Sequence, residues 1–135
     1  MKTNLLFSTP AEVETDCLAV VVVDRGDGDK PSPVVDTDDA AVRDAAAELL
    51  ASGEVTGKML ETAFLHRPEK LKAKRLLLLG GGKGKKFSPS ELRRVAGAAI
   101  RALKPKGVRT LAFVAPASLE SDAAVKAIIE GAFVG

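Results

Sequence analysis

The chain has 135 residues, of which 46% are hydrophobic and 28% charged, and its formal net charge is +2. This length and composition predict one folded domain with a single core and exclude a disordered polypeptide. The sequence has neither a run of about 18 apolar residues that could span a bilayer nor the pattern of a secretory leader, so we expect a cytoplasmic protein without membrane contacts.

The small net charge conceals an uneven distribution. Residues 1–66 carry a net charge of −8 and residues 67–135 a net charge of +10. Two solvated surfaces of opposite sign explain this division, and a basic face for nucleic acid or another anionic ligand is the alternative. The only aromatic residues are five Phe, which disfavours a stacking platform for single-stranded nucleic acid.

The beginning of the chain predicts two strands and a loop. Residues 4–8 (NLLFS) are a short strand candidate, and the β-branched run at residues 17–23 (CLAVVVV) predicts a central strand. Cys17 is the only cysteine, so it has no disulfide partner and is expected to be a small buried side chain. Residues 24–33 (DRGDGDKPSP) predict an exposed turn, because the EF-hand spacing fails for want of a Glu at its twelfth position.

A helix and a second strand segment follow. We expect a helix from a cap among residues 36–38 to about Ser52, with Gly53 as its stop. Residues 54–65 alternate in hydropathy and predict a strand or hairpin arm. His66, the only histidine, precedes a basic turn and is expected to be a surface residue, not a general base.

The most complete local pattern lies in the second half. Residues 76–79 (LLLL) form the continuous apolar run of a strand that is covered on both faces, and we expect it to end at Gly80. Ser88 as N-cap, Pro89 at the first helical position and Glu91 in a capping box mark a helix start. The expected buried stripe of this helix comprises Leu92, Val95, Ala96, Ala99, Ile100 and Leu103.

The remaining segments repeat the alternation of strand and helix. Residues 108–114 predict a strand that Pro116 ends, and a last helix begins near Ser121. These signals together predict an α/β fold. The expected apolar stripe of the last helix comprises Val125, Ile128, Ile129, Ala132 and Phe133.

One loop offers the parts of an anion site, namely backbone amides, ammonium groups and a following helix N-terminus. The P-loop pattern does not fit, because Leu79 stands in place of the first Gly and Lys86 in place of the hydroxyl residue, and the dinucleotide fingerprint lacks its third Gly. A flexible, solvated connection between strand and helix is the alternative. The candidate anion-binding residues are Gly80, Gly81, Gly82, Lys83, Gly84 and Lys85.

Catalytic patterns are not found. One Cys and one His cannot form a Cys and His zinc cluster, and the sequence has no HExxH and no nucleophile elbow. We therefore predict no catalytic residue, no metal ligand and no cofactor in this chain.

The order of the segments is more specific than any single one. An early CLAVVVV strand, TGK at residues 56–58, LLLLGGGK at residues 76–83, an ELRRVAGAAIRAL helix and a closing AIIEGAFVG follow one another. Together they resemble the N-terminal domain of the leucyl aminopeptidases, the M17 cytosol aminopeptidase family. Gly81 departs from the family pattern, in which Leu is usual at this position.

The resemblance implies a macro-domain-like, three-layer α/β/α fold with a mixed, largely parallel sheet, and a single accessory domain over residues 1–135. It also implies a C-terminal catalytic domain in the same protein as its partner, which binds two divalent metal ions, manganese or zinc, and releases N-terminal residues from peptides. A homohexamer is expected, and some bacterial members use such regions to bind DNA. The alternatives are a stand-alone macro-like module for ADP-ribose or another phosphate ligand, and a nucleic-acid-binding domain.

Overall fold

The computed structural model describes the backbone of residues 2–5 and 10–134 and the side chains of residues 10–132. Short 3-10 turns lie at Pro10–Glu12, Gly84–Lys86 and Lys104–Lys106. The strands and helices in chain order are β1 (Lys2–Leu5), β2 (Cys17–Asp24), β3 (Pro33–Val35), α1 (Ala40–Ala51), β4 (Thr62–His66), β5 (Arg75–Lys83), α2 (Pro89–Leu103), β6 (Thr110–Phe113) and α3 (Ser121–Val134).

The strands form one mixed sheet in the order β1-β6-β2-β5-β4, and β3 pairs with the end of β2. Strands β1, β6, β2 and β5 are parallel, whereas β3 and β4 are antiparallel to their neighbours. Helices α2 and α3 pack on one face of the sheet and α1 packs on the other. The predicted α/β class, with a largely parallel sheet between helices, is confirmed.

Strands β2 and β5 form the centre of the core because both of their faces are covered. Cys17, Ala19 and Val21 point toward α2 and α3, while the alternate residues Leu18 and Val20 point toward α1. Each leucine of the predicted LLLL run is at most 1% exposed. Full burial of such a side chain contributes about 1.5 to 3 kcal/mol, which explains the absence of polar alternation in these strands.

Helix α1 begins slightly later than the sequence suggests. Its N-cap is Asp39, whose carboxylate accepts from the Val42 amide at 2.9 Å, so the cap expected among residues 36–38 is wrong. Asp36 is engaged elsewhere, since its carboxylate accepts from the amide and the hydroxyl of Ser118. The stop at Gly53 is confirmed by a φ of +80° there.

The strand expected over residues 54–65 is mostly a loop, and only Thr62 onward belongs to β4. Gly57 and Leu60 both adopt positive φ, which takes this backbone out of the extended conformation. The Glu61 carboxylate stabilises the loop by accepting from the amides of Thr56 and Gly57 at 2.9 and 3.0 Å. The predicted strand or hairpin arm is therefore confirmed for residues 62–65, which pair antiparallel with β5, and is wrong for residues 54–61.

Helix α3 begins at Ser121, as predicted, but its buried face is rotated from the expected stripe. Ile129 is 41% exposed, and the Phe133 side chain lies outside the described residues. The side of α3 that faces α2 and the sheet carries mostly small residues, which permits a close approach between the two helices. The buried residues of α3 are Ala124, Ala127, Ile128 and Gly131.

Strands β1 and β6 have different bounds from the segments predicted for them. Strand β6 covers only Thr110–Phe113 of residues 108–114. Strand β1 is Lys2–Leu5, so it overlaps the NLLFS segment at its first two residues, while residues 6–8 lie outside the described residues. Both strands keep their predicted type.

Cys17 is fully buried at the start of β2, and burial raises the pKa of its thiol to about 12. Because the thiolate is the reactive form, we expect no reaction of the native protein with Ellman's reagent at pH 8. One thiol per chain should react after unfolding in guanidinium chloride. Rapid reaction of the native protein would contradict the buried position of Cys17.

Candidate functional site

The glycine and lysine segment is part of the sheet. Strand β5 continues through Gly80, Gly81 and Gly82 to Lys83, and its register with β2 extends to the pair Asp24 and Lys83. The expected end of the strand at Gly80 is therefore wrong, and so is a flexible, solvated connection over these residues. Gly80 and Gly81 are buried, and only the following 3-10 turn protrudes from the sheet.

Each of the three positions 80–82 requires glycine for a different structural reason. A Cβ on Gly80 would overlap the carbonyl oxygen of Lys58. A Cβ on Gly81 would lie 2.9 Å from the Phe87 ring, so a side chain at this position would displace core residues. Gly82 has a φ of +83°, which a residue with a side chain adopts only at a cost. The run GGG therefore serves close packing and a turn of the backbone.

The lysines of this segment are paired with carboxylates of the loop that follows β2. The Lys83 ammonium lies 2.8 Å from Asp24 Oδ2, and the Lys85 ammonium lies 3.5 Å from Asp27 Oδ1. Asp24 Oδ1 also accepts from the amides of Gly26 and Ser32 at 2.8 and 2.9 Å. The acidic turn and the basic loop, which the sequence presents as separate features, thus form one ion-paired cluster where β2 and β5 end.

A cavity of about 480 Å³ lies between these two loops. Arg25 and Lys86 line it and form no ion pair with any side chain among residues 10–132. An anion here would meet these two cations and would compete with Asp24 and Asp27 for the lysines. Phosphate binding by the glycine and lysine segment stays a prediction, and calorimetry with ADP-ribose tests it.

The Asp24 ion pair should make stability depend on pH. The Lys83 ammonium, with the amides of Ser32 and Gly26, lowers the pKa of the Asp24 carboxyl to about 2. The unfolded value is about 3.9, so this stabilisation is present above pH 4 and is lost as the pH falls toward 2. We expect Asp24→Asn to lower the midpoint of thermal unfolding at pH 7, and the difference from the parent protein to vanish near pH 2.

The matched control for this experiment is Asp29→Asn in the same loop. Asp29 is exposed and forms no ion pair within the described side chains, so this change should leave the unfolding midpoint nearly unchanged at all pH values. Circular dichroism monitors the thermal unfolding of both variants. Equal changes in the two unfolding midpoints would show that net charge, and not the contacts of Asp24, sets the pH dependence.

The helix start after this cluster matches the prediction only in part. Ser88 is the N-cap of α2 and Pro89 its first residue, but Ser88 makes no side-chain bond to the backbone of the first turn. Its hydroxyl donates to the Glu91 carboxylate instead, so the predicted capping box is wrong in its hydrogen bonds. This hydrogen bond is assisted by the charge of the carboxylate and ties the N-cap residue to the first turn of α2.

The described side chains include no group of three or more His, Cys, Asp or Glu residues that could hold a metal ion. Among residues 2–5 and 10–134, no helix is both long enough and apolar enough to cross a membrane. His66, the only histidine, is exposed at the end of β4, as predicted.

Comparison with known proteins identifies the family. The family model described as the cytosol aminopeptidase family, N-terminal domain, matches residues 19–135. The chain belongs to the cytosol aminopeptidase family. The resemblance noted in the order of the sequence segments is thereby confirmed, including its assignment to the N-terminal domain of the family.

Individual members of the cytosol aminopeptidase family show how much of the protein is matched. A probable cytosol aminopeptidase of Koribacter versatilis is 46% identical over 99% of this chain, and one of Acidobacterium capsulatum is 38% identical over 99%. A third, of Solibacter usitatus, is 42% identical over 69% of the chain. The chain spans only 29%, 28% and 19% of the length of these three relatives.

Proposed function

We propose that residues 1–135 form the non-catalytic N-terminal accessory domain of a metal-dependent aminopeptidase that acts in the cytoplasm. The observation that carries this proposal is the match of residues 19–135 to the N-terminal domain of the cytosol aminopeptidase family. The chain aligns with only 29% of the length of the 46% identical relative, so about seven tenths of that relative lies outside the alignment. This short share supports the assignment to an accessory domain.

Peptide hydrolysis in the proposed protein belongs to a C-terminal catalytic domain. Two divalent metal ions, manganese or zinc, would supply Lewis-acid chemistry there. The described residues of this chain do not fit such a centre, since no three potential ligands lie together. We therefore assign no step of the reaction to a residue of this chain.

The contribution of the domain is structural. A buried parallel sheet with helices on both faces gives a rigid unit, and such a unit can support a homohexamer and limit access to the active sites. DNA as a further partner stays a prediction of the sequence, motivated by the basic second half of the chain.

A domain exchange tests the proposal. The aligned N-terminal region of the 46% identical relative is replaced by this chain, and leucine-anilide hydrolysis and oligomeric state are measured with manganese present. We expect the chimera to assemble like the unchanged relative and to hydrolyse the substrate at a similar rate. A folded chimera that neither assembles nor hydrolyses the substrate would contradict an accessory role.

The chain alone provides the complementary measurement. We expect no leucine-anilide hydrolysis by the 135-residue protein with either manganese or zinc, and the full-length relative serves as the positive control. Turnover that survives successive purification steps would show that this domain carries its own catalytic site.

A further inference from the structure

A second cavity opens at the other end of the parallel strands, where β2, β5 and β6 begin and β4 ends. Its volume is about 670 Å³. This lies within the range of about 300 to 1,000 Å³ that is typical of small-molecule sites. The charged and titratable residues that line it are Asp16, His66, Arg67, Lys74, Arg75 and Arg109.

The strand registers explain why these side chains converge. His66 is directly opposite Arg75 in the antiparallel pair β4 and β5, so the two side chains are neighbours on one face of the sheet. Arg75 precedes Leu77 by two residues in β5, so it lies on the face that carries α2 and α3. Arg109 directly precedes β6 and lines the same cavity. The stacking of His66 on Phe64, with ring centroids 6.4 Å apart, fixes the imidazole beside the cavity.

The balance of charge in the cavity is strongly positive. Four permanently charged cations face a single carboxylate. That carboxylate is already engaged, because Asp16 accepts from the amides of Arg109 and Thr110 at 2.9 and 3.3 Å and lies 3.4 Å from the Lys74 ammonium. Asp16 therefore links the starts of β2 and β6, and its carboxylate does little to neutralise the positive charge of the arginines.

Three guanidinium groups of the cavity have no partner among the side chains that the structure describes. Within residues 10–132, the side chains of Arg67, Arg75 and Arg109 form neither an ion pair nor a hydrogen bond. Like charges repel one another when no counter-ion lies between them. Arg67 also has a φ of +52°, a conformation that costs energy for a residue with a side chain.

We propose that this cavity binds a small phosphate-bearing ligand, with Arg75 and Arg109 contacting the phosphate from opposite sides. The planar guanidinium fork matches phosphate oxygens and binds them with two parallel hydrogen bonds. The concave shape favours a small ligand over a nucleic acid duplex, which needs an extended basic surface. The proposal does not depend on the aminopeptidase role, and the site is distinct from the glycine and lysine segment at the far end of the strands.

Isothermal titration of the 135-residue protein with sodium pyrophosphate at low ionic strength tests the proposal. We expect saturable heat with one site per chain. Arg75→Gln and Arg109→Gln should each weaken binding about tenfold or more, since each removes a charge-assisted contact. Arg109→Lys, which keeps the charge but loses the fork, should weaken binding less.

Two control substitutions match the loss of one positive charge. Arg94→Gln changes an exposed arginine of α2, and Lys86→Gln changes the glycine and lysine segment, and both should leave pyrophosphate affinity unchanged. The unfolding midpoints of all four Gln variants should stay close to that of the parent protein, because the described contacts include no ion pair for these side chains.

Three results would overturn the proposal. The first is the absence of saturable heat. The second is equal weakening by Arg94→Gln or Lys86→Gln, which would assign the binding to general charge or to the other cavity. The third is binding of a short DNA duplex under conditions in which pyrophosphate does not bind, which would make this face a nucleic-acid surface.

Discussion

Substitution of Gly80 by Ala is expected to destabilise the domain by about 3 kcal/mol, at the upper end of the usual cost of overpacking. An added Cβ would overlap the Lys58 carbonyl oxygen and lie 3.0 Å from Glu61 Cβ. The backbone here cannot yield easily, because Gly80 donates to the Glu61 carbonyl at 2.7 Å and accepts from the Leu60 amide at 2.9 Å. The methyl group therefore disrupts both hydrogen bonds and displaces the loop before β4.

Thermal unfolding measures this effect, and the expected loss corresponds to a fall of about 10 °C in the midpoint. Gly53→Ala is the matched control, because Gly53 has a φ of +80° but nothing within 4 Å of an added Cβ. Its cost should be only about 1 kcal/mol, from backbone conformation alone. A smaller loss for Gly80→Ala than for Gly53→Ala would show that the loop over residues 57–61 adapts to the methyl group.

The sequence predicted those parts of the fold that depend on local pattern. Strands β2 and β5 are buried on both faces and therefore have continuous apolar runs. Helix α2 is buried on one face and therefore has an apolar stripe from Leu92 to Leu103. Both patterns are visible directly in the residue types. The chain order of these segments also carried the family resemblance, which the comparisons confirm.

Two of the errors concern contacts that the local sequence pattern does not record. Asp36 does not cap α1 because Ser118, 82 positions away, binds its carboxylate. The glycines after Leu79 look like a loop in isolation, yet they continue β5 because the strand stays paired with β2. Lys58 and Phe87 leave no room for side chains at Gly80 and Gly81. No local pattern records such a neighbour.

In the candidate sites, too, single segments could be predicted from the sequence but contacts between segments could not. The acidic turn after β2 and the lysines after β5 were both recognised, but their pairing depends on the strand register that sets Asp24 opposite Lys83. The basic cavity was not predicted, since it gathers Arg67, Arg75 and Arg109 from separate segments. The excess of positive charge in residues 67–135 was the only signal of it in the sequence.

Gly131→Ala should show that the contact between α2 and α3, and not helix propensity, determines the residue at this position. In an exposed helix Ala is favoured over Gly by about 1 kcal/mol. At Gly131, however, a Cβ would overlap the Arg93 carbonyl oxygen and lie 2.9 Å from Ala96 Cβ, so the two helices would have to separate. We expect the overpacking to exceed the gain in propensity and to give a net loss of about 2 kcal/mol in unfolding free energy.

Lys126 supplies the matched comparison, because it is exposed in the same helix and no described side chain forms an ion pair with it. Urea unfolding of Lys126→Ala and Lys126→Gly should favour Ala by about 1 kcal/mol, whereas the same pair of residues at position 131 should favour Gly. The opposite signs would separate the packing term from the backbone term. If Ala were also favoured at position 131, the close approach of α3 to the Arg93 carbonyl would not constrain this residue.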